Sequence, residues 1–171
     1  MQIGYRHIVL IGMMGSGKTT CGRALAGRLG WGFWDNDEAL QKATGVTAAQ
    51  LQRERGQASL HAVEHRLLRR ALQDHVDTVF AAAGSVVLRP ALLDGKLTIW
   101  LRISPEQEAQ NIAHSGQAHR PLPADAIAVL QRLSEERLPA FERLADITVD
   151  VAGEPATTCD RVYDALVARS R

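Results

Sequence analysis

Only two cysteines occur in 171 residues, Cys21 and Cys159, and they form no CxxC pair. This argues against both a disulfide framework and a zinc site. Cys21 is expected as a small buried thiol. Charge of either sign is not in excess. The net value is +1, so the chain lacks the footprint of a nucleic-acid or anionic-membrane binder, and small molecules are the expected partners. No segment approaches the ~18 apolar residues of a membrane helix. The apolar stretch from Ile8 to Met14 is short, leads into GSGK and does not read as a signal sequence. These absences point to the cytosol, and a monomer is expected. There is no internal repeat, low-complexity tract or linker, so residues 1–171 are expected to form one domain. Hydrophobic residues at 46% and charged residues at 23% suit a globular chain with a real core.

Strand-like and helix-like segments alternate, which predicts a parallel α/β sheet. His7–Ile11 is a continuous apolar run, as in a strand buried on both faces. A helix is predicted over Lys18–Leu29, with Gly30 to end it. Further strands are predicted at Gly32–Trp34, Thr78–Ala83, Leu97–Leu101 and Ile147–Val151. Glu38 to about Ala43 reads as a helical turn stopped near Gly45. Thr47 is placed to cap a helix that breaks at Gly56. Ser59–Asp74 is amphipathic, with Leu60, Val63, Leu67, Leu68 and Ala71 on one side and Arg66, Arg69 and Arg70 on the other. Ser104-Pro105 starts a helix. HSGQAHRPLPAD, residues 114–125, has no periodicity and reads as a loop or mobile lid. Leu130–Leu144 is helical, with Pro139 expected to kink or divide it. A helix from Thr158 to about Ala168 closes the chain.

Residues 12–19, GMMGSGKT, match G-x-x-x-x-G-K-[ST] between a strand and a helix. Glycines let successive backbone N–H groups turn inward onto phosphate oxygens, and the helix adds its positive end. Gly12, Gly15, Ser16, Gly17, Lys18, Thr19 and Thr20 are therefore the candidate cradle for a nucleoside triphosphate. Lys18 is expected to reach the β- and γ-phosphates, and Thr19 to ligate Mg²⁺.

A switch GTPase would carry Asn-Lys-x-Asp, which is absent. An AAA-type module would end a hydrophobic strand in Asp-Glu, whereas the third strand here ends Phe80-Ala81-Ala82-Ala83-Gly84. Small-molecule kinases remain. Asp35-Asn36-Asp37 is the natural source of carboxylates. Aspartates at i and i+2 on extended chain point the same way, toward the crevice at the carboxyl ends of the strands. One would order Mg²⁺, and the other would hold an acceptor hydroxyl and take its proton. The structural alternative is that Asp37 only caps the next helix.

The pieces GMMGSGKTT, FWDNDEAL, HAVEHR, HRPLP and ERLPAFERLAD together make the chain resemble the shikimate kinases along nearly its whole length. The resemblance implies a three-layer P-loop NTPase fold, a five-stranded parallel sheet flanked by helices. A mobile lid would lie at about 114–125 and acceptor-binding helices at about 37–74. It implies transfer of the γ-phosphate of ATP to a shikimate hydroxyl. It places Mg²⁺ assistance on Asp35, acceptor hydroxyls on Asp37, the phosphates on Arg120 of the lid, and the acceptor carboxylate on Arg137. An arginine stabilises charge in phosphoryl transfer, and its planar fork suits a carboxylate. A solvated loop charge is the alternative for Arg120, and a solvated helix face for Arg137.

Two stretches depart from the family pattern. Where the family has arginine in F-R-x-x-E, this chain has His61 before Glu64. Neutral histidine offers one donor and no bidentate fork, unless His61 simply packs on its helix and pairs with Glu64 or His65. Where the family has three glycines after the third strand, this chain has Ala82-Ala83-Gly84. The N–H groups at Ala83 and Gly84 are expected to approach the acceptor, with alanine resisting any positive φ. Both departures fall on the acceptor side. They leave two expectations open, a kinase of shikimate or a related hydroxylated acceptor, and a nucleotide- or metabolite-binding regulator with little kinase activity.

Overall fold

The structure is a computed structural model and describes residues 4–114 and 125–170. Its elements alternate as β1 (His7–Ile11), α1 (Lys18–Leu29), β2 (Gly32–Asp35), α2 (Asn36–Thr44), α3 (Ala48–Asp74), β3 (Thr78–Ala81), β4 (Leu97–Arg102), α4 (Pro105–His114), α5 (Ala126–Leu144), β5 (Ile147–Asp150) and α6 (Pro155–Arg169). Short 3-10 turns at Gly84–Leu88 and Pro90–Leu92 precede β4. The strands form one parallel sheet in the order β2-β3-β1-β4-β5. The doubly buried strand, the helix after the glycine loop and the five-strand count are all as the sequence predicts.

Strand β1 lies at the centre, and Ile8, Val9, Leu10 and Ile11 are fully buried. Successive side chains of a strand face opposite sides. Val9 and Ile11 therefore enter one core with Leu68 of α3, Phe80 of β3, Trp100 of β4 and Phe141 of α5. Ile8 and Leu10 enter the other with Cys21 and Leu25 of α1 and Cys159, Val162 and Leu166 of α6. The result is three layers. A small third cluster, Leu40, Leu51 and Leu60, joins α2 to α3 beyond the sheet.

Thr47 caps α3 through a reciprocal capping box with Gln50, and the break at Gly56 is real: φ is 79° and ψ 166° there. Several bounds differ from expectation. α2 begins at Asn36, because Asp35 caps it, and α6 begins at Pro155. Helix α5 is not divided by Pro139. The carbonyl that loses its helical donor belongs to Glu135, an exposed residue open to water. The expected lid lies between His114 and Asp125, outside the described residues, and Arg120 with it. The two cysteines, remote in sequence, meet between α1 and α6 as free thiols with sulfurs 2.8 Å apart. Burial pushes the Cys21 thiol far above its usual range. Among the described residues, no helix is long and apolar enough to cross a membrane.

Phe141 is 1% exposed and stacks on Trp100, with centroids 5.5 Å apart and planes 6° from parallel. It seats α5 on the sheet one turn beyond Arg137. Phe141→Ala is expected to lower stability by about 3–5 kcal/mol in urea unfolding, from lost burial plus a cavity. A loss under ~1 kcal/mol would mean that α5 is anchored elsewhere.

Candidate active site

The glycine loop needs its glycines for two reasons. Backbone φ is 146° at Gly12, 73° at Gly15 and 87° at Gly17, values that side chains disfavour. Space is also short, since a methyl on Gly12 would stand 2.6 Å from the Leu101 carbonyl oxygen. Gly17 is the N-cap of α1, and no acidic side chain occupies that helix's first turn, so its positive end is open to an anion. Lys18 Nζ curls back to donate to the carbonyls of Gly12 at 3.0 Å and Met13 at 2.8 Å. Ser16 is buried beneath the loop, and its Oγ has no hydrogen-bond partner among the described residues. Thr20 is exposed on the first turn of α1.

Thr19 Oγ1 donates to Asp35 Oδ2 at 2.6 Å. A hydroxyl and a carboxylate thus lie together beside the phosphate cradle. These hard oxygen donors are of the kind Mg²⁺ accepts when phosphate oxygens and water complete its shell. The residues present therefore fit the ion. Among the described residues there is no cluster of three or more His, Cys, Asp or Glu.

The extended geometry expected for both aspartates does not hold. Asp35 is buried at the end of β2, and its Oδ1 accepts from the backbone N–H of Asp37 at 2.8 Å and Glu38 at 3.2 Å. The chain therefore turns helical at once. Asp37 sits exposed in the first turn of α2, and Asp35, not Asp37, is the cap.

On the side expected to face the acceptor, Gly84, Arg137 and the first glycine of the loop converge. A methyl on Gly84 would lie 3.1 Å from Arg137 Nη1 and 3.5 Å from the Gly12 carbonyl oxygen. Arg137 is half-buried, not a solvated helix face. The backbone restriction expected at Ala82 and Ala83 does not arise. Ala83 has φ −61°, and the one described non-glycine residue with positive φ is Asp77. Gly84 matters for the room it leaves Arg137, not for its φ. His61 is half-buried on α3 and stacks on His65 with centroids 6.2 Å apart.

Three features were not foreseen from the sequence. Ser85 Oγ donates to Glu64 Oε2 at 2.6 Å, and His65 Nε2 donates to the Ser85 carbonyl at 2.9 Å, so α3 grips the turn that carries Gly84. Burial lowers the pKa of His65. Asn111 Nδ2 donates to the Gly15 carbonyl at 2.9 Å and ties α4 to the loop. Glu108 of α4 is 1% exposed, and neither of its oxygens has a hydrogen-bond partner among the described residues. Burial raises its pKa from 4.5 to about 7, against the opposing pull of Lys18 and Arg137. Helical spacing held the signal: Ile112, four residues on, is buried on the same face.

The family model for Shikimate kinase matches residues 14–167. A shikimate kinase of Synechococcus sp. (strain CC9605) is 36% identical, with 96% of this chain and 84% of that protein covered. One of Mycobacterium avium (strain 104) is 37% identical, covering 83% of this chain and 82% of the other. Among solved structures, shikimate kinase from Acinetobacter baumannii in complex with shikimate superposes with a TM-score of 0.88 at 24% identity, covering 98% of this chain and 96% of that one. Deoxyadenosine kinase from M. mycoides with bound dCTP superposes with a TM-score of 0.67 at 14% identity, covering 95% and 99%. At such identities these two structures speak to fold, which is that of the P-loop kinases. The regulator alternative is not favoured, since the relatives that match along the chain carry the kinase name.

Glu108 gives the site a pH signature. Between pH 4.5 and about 7 the folded protein keeps a proton that the unfolded chain gives up. That stability is fully present below 4.5 and lost as pH rises through 7. Relative to Glu108→Gln, the wild type is expected to lose up to about 3 kcal/mol between pH 5 and 8, read from urea midpoints. A difference that does not change with pH would mean that the carboxyl meets water.

Proposed function

The chain belongs to the shikimate kinase family, and from that premise we propose that its crevice transfers the γ-phosphoryl group of ATP to a hydroxyl of shikimate. The observation that supports the assignment is the meeting of Gly12, Gly84 and Arg137, which brings a guanidinium, a group suited to a carboxylate, to the edge of the glycine loop.

Lys18 exchanges its two loop carbonyls for phosphate oxygens. The fold thus keeps the ammonium in place before nucleotide arrives. Backbone N–H groups of the loop and the start of α1 offset phosphate charge. Thr19 and Asp35 hold Mg²⁺, which when bound offsets charge on the transferring group. Asp37, exposed in the first turn of α2, orients the acceptor hydroxyl and takes its proton as the new bond forms. Arg137 holds the acceptor carboxylate, and Gly84 leaves it room. Glu64, His65 and Ser85 position that turn. His61 supplies a second, weaker donor to the acceptor, assisted by the N–H groups of Ala83 and Gly84. Arg120, outside the described residues, is assigned to cover the phosphates. The protein works as a cytoplasmic monomer with small molecules as its partners.

ADP release from MgATP tests this assignment. Release is expected to depend on shikimate and to fall at least about a hundredfold in Lys18→Ala, which removes a phosphate-binding charge. Release that ignores shikimate would sink the acceptor assignment. His61→Arg restores a bidentate fork and is expected to lower the KM for shikimate by about tenfold to a hundredfold, the worth of one charge-assisted contact. An unchanged KM would mean that His61 lies outside the acceptor site.

A further inference from the structure

Glu108 has no part in the roles above, yet it is buried among groups that do. Helix α4 lies directly on the glycine loop. A methyl on Gly15 would stand 3.2 Å from Ile112 Cγ1 and 3.3 Å from the Glu108 carbonyl oxygen, and Asn111 is hydrogen-bonded to Gly15. On its other side α4 packs against α5, which carries Arg137. The Glu108 carboxyl is shut off from solvent, with no hydrogen-bond partner for either oxygen among the described residues. Among the described residues, the charged groups whose fields bear on it are Lys18, from the loop and α1, and Arg137, from α5. These are the two cations assigned above to the phosphates and to the acceptor carboxylate, and the inference rests on that assignment.

A buried carboxylate without hydrogen bonds is costly as an anion and is sustained by opposite charge nearby. Phosphate and carboxylate ligands claim those same cations and bring their own negative charge close, which disfavours the ionised carboxyl further. We propose that Glu108 is a counter-charge shared by Lys18 and Arg137 in the free protein, and that it takes a proton from solvent when anionic ligands bind. The carboxyl thereby removes a repulsion that would otherwise oppose nucleotide. The step is one carboxylate plus one buffer proton giving one carboxylic acid. Its poise near neutrality, at about 7, is what lets the free protein hold the charge and the complex discard it.

The test is calorimetric titration of the full chain with MgADP at several pH values around and above 7, at each pH in buffers of different ionisation enthalpy. The dependence of heat on buffer counts protons. The wild type is expected to take up a fraction of a proton per nucleotide, rising as pH rises above 7. Its affinity is expected to weaken by up to about tenfold per pH unit there. Glu108→Gln is expected to bind MgADP with no such uptake and with affinity flat in pH. Equal proton counts in wild type and variant would overturn the proposal and leave the kinase assignment standing. Failure of the wild type to bind MgADP at all would overturn both. Should the variant not fold, infrared difference spectra of the unmodified protein decide. A protonated-carboxyl band that grows as MgADP is added supports the proposal, and its absence overturns it.

Discussion

The carboxylate of Asp35 accepts three hydrogen bonds, from the Thr19 hydroxyl and from the N–H groups of Asp37 and Glu38. One oxygen is committed to the head of α1 and the other to the head of α2. A single buried anion therefore ties the end of β2 to two helix N-termini, each of which favours negative charge. The glycine loop leads into the first helix, and the second packs on α3. The cluster of Leu40, Leu51 and Leu60 then stiffens α2 against α3, so that the position fixed at Asp35 is carried outward.

The opposite wall is built by a second polar anchor. Glu64 and His65, neighbours on α3, take the hydroxyl and the carbonyl of Ser85. This pins the turn that begins at Gly84, and Arg137 comes across from α5 to meet it. Buried polar groups are tolerated here because they are paired. Glu108 is not paired in this way. Among the described residues it has no hydrogen-bond partner, and the charges that bear on it are those of Lys18 and Arg137.

Much of this was legible in the residues themselves. HIVLI followed by GMMGSGKT announces a buried strand, a tight loop and a helix, with four of the motif's eight positions fixed by chemistry, and the alternation of elements gives the parallel sheet. Thr47, Gly45 and Gly56 declared their roles as cap, stop and break. The geometry of Asp35-Asn36-Asp37 was misjudged, because a carboxylate at a strand end can either point onward or fold back to cap, and local sequence does not separate the two. The alanines before Gly84 were read as backbone constraints, whereas the constraint is the space Arg137 occupies, a contact between residues far apart in the chain. Glu108 and the Cys21–Cys159 contact were missed for the same reason. Each depends on which helices the fold brings together.

The strand order has a bearing on how the chain is made. β1 is synthesised first, but its neighbours are β3 and β4, so His7 pairs with Thr78 and Ile8 with Leu97. A parallel centre of this kind is completed only by contacts distant in sequence, which slows folding and prolongs the exposure of unpaired strand. On one face, α1 waits longer still, since Cys159, Val162 and Leu166 of α6 are the side chains that cover it. On a ribosome, the phosphate loop would therefore emerge early, attached to a strand with no partner and a helix with no lid over its apolar side. Chaperone capture of this protein should concentrate on nascent chains that end before residue 155.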